Sequence, residues 1–517
     1  MSTASPSVGR SAIRPVLPGL LLAMLLAMLD AMVVSTALPT VVGSLGGFND
    51  LAWVVAAYLL TSTVSAPVWG KLGDLFDRKA LFLTAIVVFL VGSALSGAAQ
   101  TMTELILFRA LQGIGAGGVI IGVMTVIGIL SKPEERGRYQ SYIAALSAVA
   151  TVGGPLLGGV LTDHLSWRWV FYINLPIGVV AFVLVVLTLH LPKIRAPHRI
   201  DFLGAAMLTI VTIAIILITV WGGNPYGWAS PRLLVLYAVV AVGIAATILV
   251  ESRAAEPILT PQLFRNRDYT ASLVIGFLVG VALYGAINII PLYEQNARHA
   301  SATVSGLLLM PLLAGQLVVS ILTGRALKGP SLYRPFAVSG GLALAVGSAL
   351  LSRLDVDTNQ VLASVFMVVF GVGLGFLFQN VLVIAQNSVE PRQIGAATGA
   401  LTFFRSVGGT LGVSLFAAIF TARLHAAVDS KLTPSELAAI TRNGGRLSSS
   451  TVQSLPAAAR TAYVDGVAHA IQAVFGWGGV TLGVVTLIAG FLVRGANRDK
   501  KQAAPESAPS SPTTART

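Results

Sequence analysis

Three ionisable side chains stand inside long apolar stretches of the sequence, namely Asp30, Arg109 and Arg405. A carboxyl group in such a stretch can take up and release a proton, and in its ionised form it attracts a cation. An arginine stays charged, so Arg109 must find an acid, another polar partner or water. These residue types predict that the protein handles protons or cations in an apolar setting.

The elements that carry these residues must be helices in a membrane. Only 11% of the 517 residues are charged, 55% are hydrophobic, and the mean hydropathy is +0.81. A soluble chain is about one quarter charged, so this composition excludes a soluble protein and predicts an all-α polytopic membrane protein. The absence of cysteine excludes disulfides, thiolate metal sites and a cysteine nucleophile.

Apolar runs bounded by charges, proline or glycine predict fourteen membrane spans. They lie near 16–38, 51–70, 80–99, 105–130, 139–162, 169–191, 202–221, 233–250, 270–293, 304–324, 335–352, 361–384, 396–422 and 468–493. The first run resembles a signal peptide, but it is too long and contains Asp30. We therefore expect it to remain as a helix.

The positions of Lys and Arg predict how the spans are oriented. With the N-terminus in the cytoplasm, most of the 34 Lys and Arg residues fall in cytoplasmic segments. The short outer loops then hold only Arg168, Arg232, Arg298 and Arg353. This is the bias of the positive-inside rule. Both termini are therefore expected in the cytoplasm, and the net charge of +13 reflects topology and not nucleic-acid binding.

A glycine-rich segment at 152–158 recurs at 407–412. If it marks equivalent helices, spans 1–6 and 9–14 are parallel repeats, an arrangement that secondary transporters use; chance matching of glycine-rich runs is the alternative. The predicted parts are a cytoplasmic segment at 1–15, a six-helix bundle at 16–193, a two-helix insert at 194–252, a second six-helix bundle at 253–494 with an external segment at 423–467, and a disordered cytoplasmic tail at 495–517.

Four motifs carry a family resemblance. They are the segment 29–39 around Asp30, the loop 70–79, the segment 107–117 around Arg109, and the segment 154–159. Together they resemble the major facilitator superfamily, specifically its fourteen-span drug:proton antiporter branch. The resemblance implies a major facilitator fold with 14 transmembrane helices, arranged as two six-helix bundles plus a two-helix insert. It also implies that Asp30 binds a proton or a cationic substrate, and that Arg109 assists proton transfer. A neutral Asp30 hydrogen-bonded between helices, and an Arg109 that reaches the outer interface, are the alternatives.

Two of these motifs imply conformational roles. In the loop motif, Asp74 and Arg78 are expected to pair across an inner gate. The motif consists of Gly70, Gly73, Asp74, Arg78 and Lys79. The family usually has glycine at the position of Asp77, and Asp tolerates a left-handed backbone. The alternative is a positive-inside cluster only. The other segment, with Gly154, Pro155, Gly158 and Gly159, is similar to the superfamily's antiporter motif and favours export over import.

The second half offers fewer signals. Glu294 follows a span at a position that is more often apolar in the family, so it is either a second proton or cation site or a solvated loop residue. Several polar residues are candidates to line a central cavity, although each could instead join helices. They are Gln112, Tyr284, Asn288, Gln316, Gln379, Asn380 and Arg405.

Gly113, Gly115 and Gly118 match a dinucleotide fingerprint in spacing, but they follow no predicted strand, so we interpret them as helix-packing residues. We expect no metal, nucleotide or other cofactor.

The predicted function is proton-coupled export of drugs or other small amphipathic or cationic compounds, by a monomer in the lipid of a bacterial plasma membrane. A dedicated exporter of an endogenous antibiotic, siderophore or lipid is the alternative, and a non-transporting membrane enzyme or sensor is a remote one.

Overall fold

The computed structural model describes residues 13–46, 51–191, 201–222, 226–254, 256–298, 302–327, 329–428 and 456–494. Helices dominate this part of the chain. The first half contains α1 (Leu17–Leu45), α2 (Leu51–Leu75), α3 (Arg78–Ala98), α4 (Met102–Leu130), α5 (Arg136–His164), α6 (Trp169–Tyr172) and α7 (Asn174–Thr188). The next two helices are α8 (Phe202–Trp221) and α9 (Pro231–Arg253).

The second half contains α10 (Arg267–Asn296), α11 (Ala302–Leu307), α12 (Met310–Ala326), α13 (Tyr333–Leu351), α14 (Gln360–Leu377), α15 (Asn380–Asn387), α16 (Ile394–Val428), α17 (Ala457–Ala473) and α18 (Val480–Leu492). One turn of π-helix, Val474–Gly479, joins the last two helices. Short 3₁₀ turns at Pro261–Arg265, Pro330–Leu332 and Pro391–Gln393 precede three of the helices. Each of these turns begins with proline, whose fixed φ and missing N–H suit a first helical position.

Thirteen helical segments among the described residues are long and apolar enough to cross a membrane, and α8 adds a shorter apolar segment, Leu203–Thr219. The prediction of an all-α, multi-pass membrane protein is therefore confirmed. Helix α16 continues to Val428 and α17 begins at Ala457, so both extend into the predicted external segment. The remainder of that segment, at 429–455, and the predicted tail at 495–517 lie outside the described residues.

The same helix pairs recur in the two halves. Helix α1 packs on α5 as α10 packs on α16, while α2 and α3 pack on α4 as α12 and α13 pack on α14. The halves meet through α2 on α16 and α5 on α12, and α8 packs on both α9 and α16. The result is a pair of similar bundles with an additional helix pair against their junction.

Candidate functional site

Asp30 and Arg109 form a buried ion pair in the first bundle. Arg109 Nη1 donates to Asp30 Oδ2 at 2.6 Å, and each residue is only 1% exposed. Gln112 Nε2 and Asn174 Nδ2 both donate to Asp30 Oδ1 at 2.8 Å. One carboxylate thus accepts three hydrogen bonds from α4 and α7, which fixes α1 between those helices. We call Asp30, Arg109, Gln112 and Asn174 the Asp30 network.

The guanidinium group of Arg109 has further partners. It donates to Gln112 Oε1 at 2.8 Å and to the carbonyl of Val54 at 3.4 Å. Its carbon lies 4.1 Å from the ring centroid of Tyr58, within range of a cation–π contact. Arg109 therefore turns into the bundle, and it does not reach the outer interface. A fully desolvated pair held this way is costly to break from one side, because the remaining charge has no water.

A second layer of polar groups orients the network. Asn174 Nδ2 also donates to Ser93 Oγ at 3.0 Å, and Ser93 donates to the carbonyl of Phe171 at 2.9 Å. The break between α6 and α7 falls beside Asn174 and brings its amide to the network. Asn174 lies in the predicted span at 169–191, just after Trp169, Phe171 and Tyr172, and such aromatic residues suit the membrane interface. The pattern therefore gave no signal for this contact beyond an amide within an apolar run.

Glycines let the helices approach closely enough for these contacts. A Cβ on Gly92 of α3 would lie 2.6 Å from the backbone N and Cα of Gln112. On α4, a Cβ on Gly115 would clash with the backbone of Phe89, and one on Gly118 would lie 2.7 Å from the Trp69 ring. The glycines that match a dinucleotide fingerprint thus serve helix packing.

The loop motif closes one end of the junction between the halves. Asp74 Oδ1 accepts from the backbone N–H of Gly395 at 3.0 Å, and Oδ2 accepts from that of Ala396 at 2.7 Å. These N–H groups begin α16, where free donors and the helix dipole favour an anion. Gly70 permits the approach, since a Cβ there would clash with the Gly395 carbonyl. We call this end the gate.

The expected ion pair across the gate is corrected by this geometry. Arg78 Nη2 does bond to Asp74 Oδ1, at 3.2 Å, but the two residues are one helical turn apart in the same half. The hydrogen bonds that cross the gate join Asp74 to the backbone N–H groups of α16. Arg78 therefore contacts Asp74 only from within the first half. Lys79 donates to the carbonyl of Val186 at 2.7 Å and also stays within the first half.

The backbone at Asp77 is extended, with φ −61° and ψ 107°, and not left-handed. Its side chain accepts from the N–H groups of Lys79 and Ala80 and caps α3. The turn therefore tolerates Asp77 because its side chain is a good N-cap. The expectation that Asp is tolerated here for its left-handed backbone was wrong. A Cβ on Gly73 would meet no atom within 4 Å, so packing does not require glycine there.

Further contacts close the same end. Lys71 Nζ binds Glu256 Oε2 at 2.8 Å, and Arg136 Nη1 donates to Asn387 Oδ1 at 2.5 Å. On α5 and α12, Gly137 and Gly324 each leave no room for a side chain against the other's backbone. The two halves are therefore in direct contact on this side.

The antiporter motif lies on α5, beside α1. A Cβ on Gly154 would clash with Cβ of Met32, which lies two residues after Asp30. Gly158 is buried, whereas a Cβ on Gly159 would meet no atom within 4 Å. Pro155 lies within the same continuous helix. The motif thus brings α5 against the segment of α1 that carries the candidate acid.

The acid of the second half lies apart from the Asp30 network. Glu294 is within α10 and only 1% exposed, so it is not a solvated loop residue. Arg298 Nη1 is 3.8 Å from its Oε1, which has no hydrogen-bond partner among the described residues. A buried carboxylate with so distant a cation has little to offset the cost of burying its charge.

The other polar candidates divide by burial. Tyr284 is 44% exposed and Asn288 is also exposed, with Asn288 Nδ2 donating to the Tyr284 carbonyl at 2.9 Å. Gln316 is half-buried. The remaining candidates are buried: Gln112 in the Asp30 network, Gln379 and Asn380 at the break between α14 and α15, and Arg405 against the Phe378 ring at 4.2 Å.

Comparison with known proteins places the chain in a family. The model of the Major Facilitator Superfamily matches residues 20–413. The Multidrug transporter protein MdtP of Bacillus subtilis (strain 168) is 37% identical over 419 residues, which is 81% of this chain and 77% of that protein. Multidrug resistance protein 3 of the same organism is 36% identical over 406 residues, covering 78% of this chain and 79% of that protein.

A solved structure shares the fold. The crystal structure of the human organic anion transporter MFSD10 (TETRAN) matches with a TM-score of 0.61 at 14% identity, covering 95% of this chain and all of that chain. The chain therefore belongs to the Major Facilitator Superfamily, and it is a multi-pass membrane transporter of small molecules rather than an enzyme.

Proposed function

We propose that the protein is a proton-coupled exporter of drugs or other small amphipathic or cationic compounds. The observation that carries the proposal is the Asp30 carboxylate, buried at membrane depth against Arg109 at 2.6 Å. The names of the two Bacillus relatives, a multidrug transporter and a multidrug resistance protein, support drugs as the substrate class. The antiporter motif against α1 supports export.

The network suggests how one proton changes the site. In the structure the carboxylate of Asp30 is neutralised by Arg109 and bonded by Gln112 and Asn174. A proton on Asp30 would remove its negative charge and weaken all three bonds, which frees Arg109. Loss of the proton restores them. Proton binding in this way changes the packing of α1 against α4 and α7, and it couples the proton to helix position.

The gate supports alternating access. With Asp74 bound to the start of α16, the gate end is closed, so the proton would enter from the other side. We place this end in the cytoplasm, together with both termini, in the plasma membrane of a bacterium.

The membrane potential supplies about 2.3 kcal/mol per net charge for each 100 mV, and no ATP is needed. A monomer in lipid suffices for this cycle, with Glu294 as a second proton site.

Ethidium flux in proteoliposomes with an imposed pH gradient tests the function. The native protein should transport ethidium with the gradient, Asp30→Asn should lose this dependence, and Asp163→Asn should keep it. Asp163 is a matched control because it is an exposed acid in the same half of the chain. No flux of any cation in a panel of unrelated dyes would instead indicate a dedicated exporter of an endogenous compound. Equal gradient dependence in Asp30→Asn would remove Asp30 from the coupling mechanism.

A further inference from the structure

Two acidic side chains meet outside the Asp30 network, between α8 and α9. Asp201 is the N-cap of α8, and its Oδ1 accepts from the N–H of Gly204 at 2.8 Å. Glu251 lies in the last turn of α9 and is only 4% exposed. Its Oε2 accepts from the backbone N–H of Leu259 at 3.1 Å. Each carboxyl group thus uses one oxygen to accept a hydrogen bond from a backbone N–H group.

The other oxygen of each acid is buried and unpaired. Neither Asp201 Oδ2 nor Glu251 Oε1 has a hydrogen-bond partner among the described residues. Both border the position that a Cβ on Gly204 would occupy, with Glu251 Oε1 at 2.9 Å and Asp201 Oδ2 closer still. The two oxygens therefore face one small gap, which the absent side chain of Gly204 leaves open.

Among the residues that the structure describes, the surroundings offer little charge to offset two anions. Helix α2 contributes Lys71, whose Nζ already binds Glu256 of the α9–α10 connection at 2.8 Å. On α9 itself, Arg253 is exposed. The connection contributes buried Ile258, which clusters with Phe403 and Val407 of α16 and with Leu208 of α8. Two facing carboxylates in such a place cannot both be ionised cheaply, and one proton between them removes the repulsion.

We propose that Asp201 and Glu251 share one proton and form a further proton-binding site, separate from Asp30 and Glu294. The acid O–H of one group donates to the free oxygen of the other, so both unpaired oxygens gain a partner. Release of the proton to water leaves two facing carboxylates, which repel each other across α8 and α9. Glu251 holds the backbone of Leu259 in the α9–α10 connection, and Glu256 of the same connection binds Lys71 of α2 beside the gate. The repulsion between the two carboxylates therefore acts on α8 and α9 where they meet α2.

Infrared difference spectra of the native protein and Glu251→Gln in lipid nanodiscs at neutral pH test the shared proton. The carbonyl stretch of protonated carboxyl groups should be weaker in Glu251→Gln than in the native protein, by the contribution of one carboxyl group. Asp201→Asn should show the same loss. Glu390→Gln is the matched control, since Glu390 is exposed and paired with Arg392 at 2.7 Å, and its spectrum should keep the band. A band of equal size in the native protein and Glu251→Gln would show that the pair is fully ionised and would overturn the proposal.

Thermal unfolding as a function of pH gives an independent readout. The folded pair retains a proton that the separated acids of the unfolded chain release, so the native protein should lose stability as the pH rises from about 4, the ordinary carboxyl range, to neutral. Glu251→Gln keeps an acceptor for the N–H of Leu259 and supplies a permanent donor to Asp201. Its stability should therefore fall less with rising pH than that of the native protein. Identical pH slopes for the two proteins would contradict the shared proton. Neither measurement requires transport, so their failure would leave the proposed role of Asp30 untouched.

Discussion

The contact between Asp74 and α16 makes the gate directly testable. Asp74→Ala removes the hydrogen bonds to the N–H groups of Gly395 and Ala396, at 3.0 and 2.7 Å, and it leaves Arg78 without its acid. Replacing a capping carboxylate by alanine costs about 0.5–2 kcal/mol. Since these bonds join the two halves, the whole cost falls on the closed state. At about 1.4 kcal/mol for each factor of ten, the ratio of closed to open protein should fall by roughly tenfold.

The absence of cysteine allows this ratio to be measured. Phe76→Cys and Arg392→Cys place one label on each side of the gate, at an exposed position in each half. Double electron–electron resonance between the two labels should show a longer distance gaining population in Asp74→Ala. Asp77→Asn is the matched control, because its capping contacts stay within α3. An unchanged distance distribution in Asp74→Ala would refute the claim that this contact holds the gate closed.

Three further changes test other contacts. Asn174→Ala leaves the network carboxylate without one donor, so thermal unfolding should show a loss of about 1–3 kcal/mol; an unchanged melting temperature would contradict this. Gly92→Leu places a side chain where even a Cβ would lie 2.6 Å from the Gln112 backbone, and it should lower stability by about 1–3 kcal/mol, whereas Gly159→Leu, which meets open space, should not. Glu294→Gln should keep substrate flux but carry fewer protons per substrate, measured as a proton-to-drug ratio, and an unaltered ratio would exclude it as a second proton site.

The helices and their polar residues could be predicted from the sequence because each depends on local composition. The predicted span at 202–221 matches α8 residue for residue. Asp30 and Arg109 were recognisable separately, since a charge in an apolar run is rare. Their pairing was not predictable, because the two residues are 79 positions apart and only the packing of α1 on α4 brings them together.

The partners that sequence reasoning missed share a physical cause. Asp74 binds backbone N–H groups of Gly395 and Ala396, and a backbone donor has no residue type that a motif could reveal. Asn174 follows an aromatic turn whose composition suits the membrane interface, although its amide points to Asp30. The acid pair of Asp201 and Glu251 depends on the approach of α8 and α9, which neither helix encodes alone.

Proton release on substrate binding tests the central claim most directly. A pH-sensitive dye in a weakly buffered solution of the purified protein should report protons released when ethidium is added. A cationic substrate binds the ionised form of Asp30, so it draws the protonated fraction of the protein into that form and the proton is released. The native protein and Asp163→Asn should release equal amounts, and Asp30→Asn should release markedly less while still binding the dye. Equal release from Asp30→Asn and the native protein would contradict the claim that Asp30 carries the coupled proton.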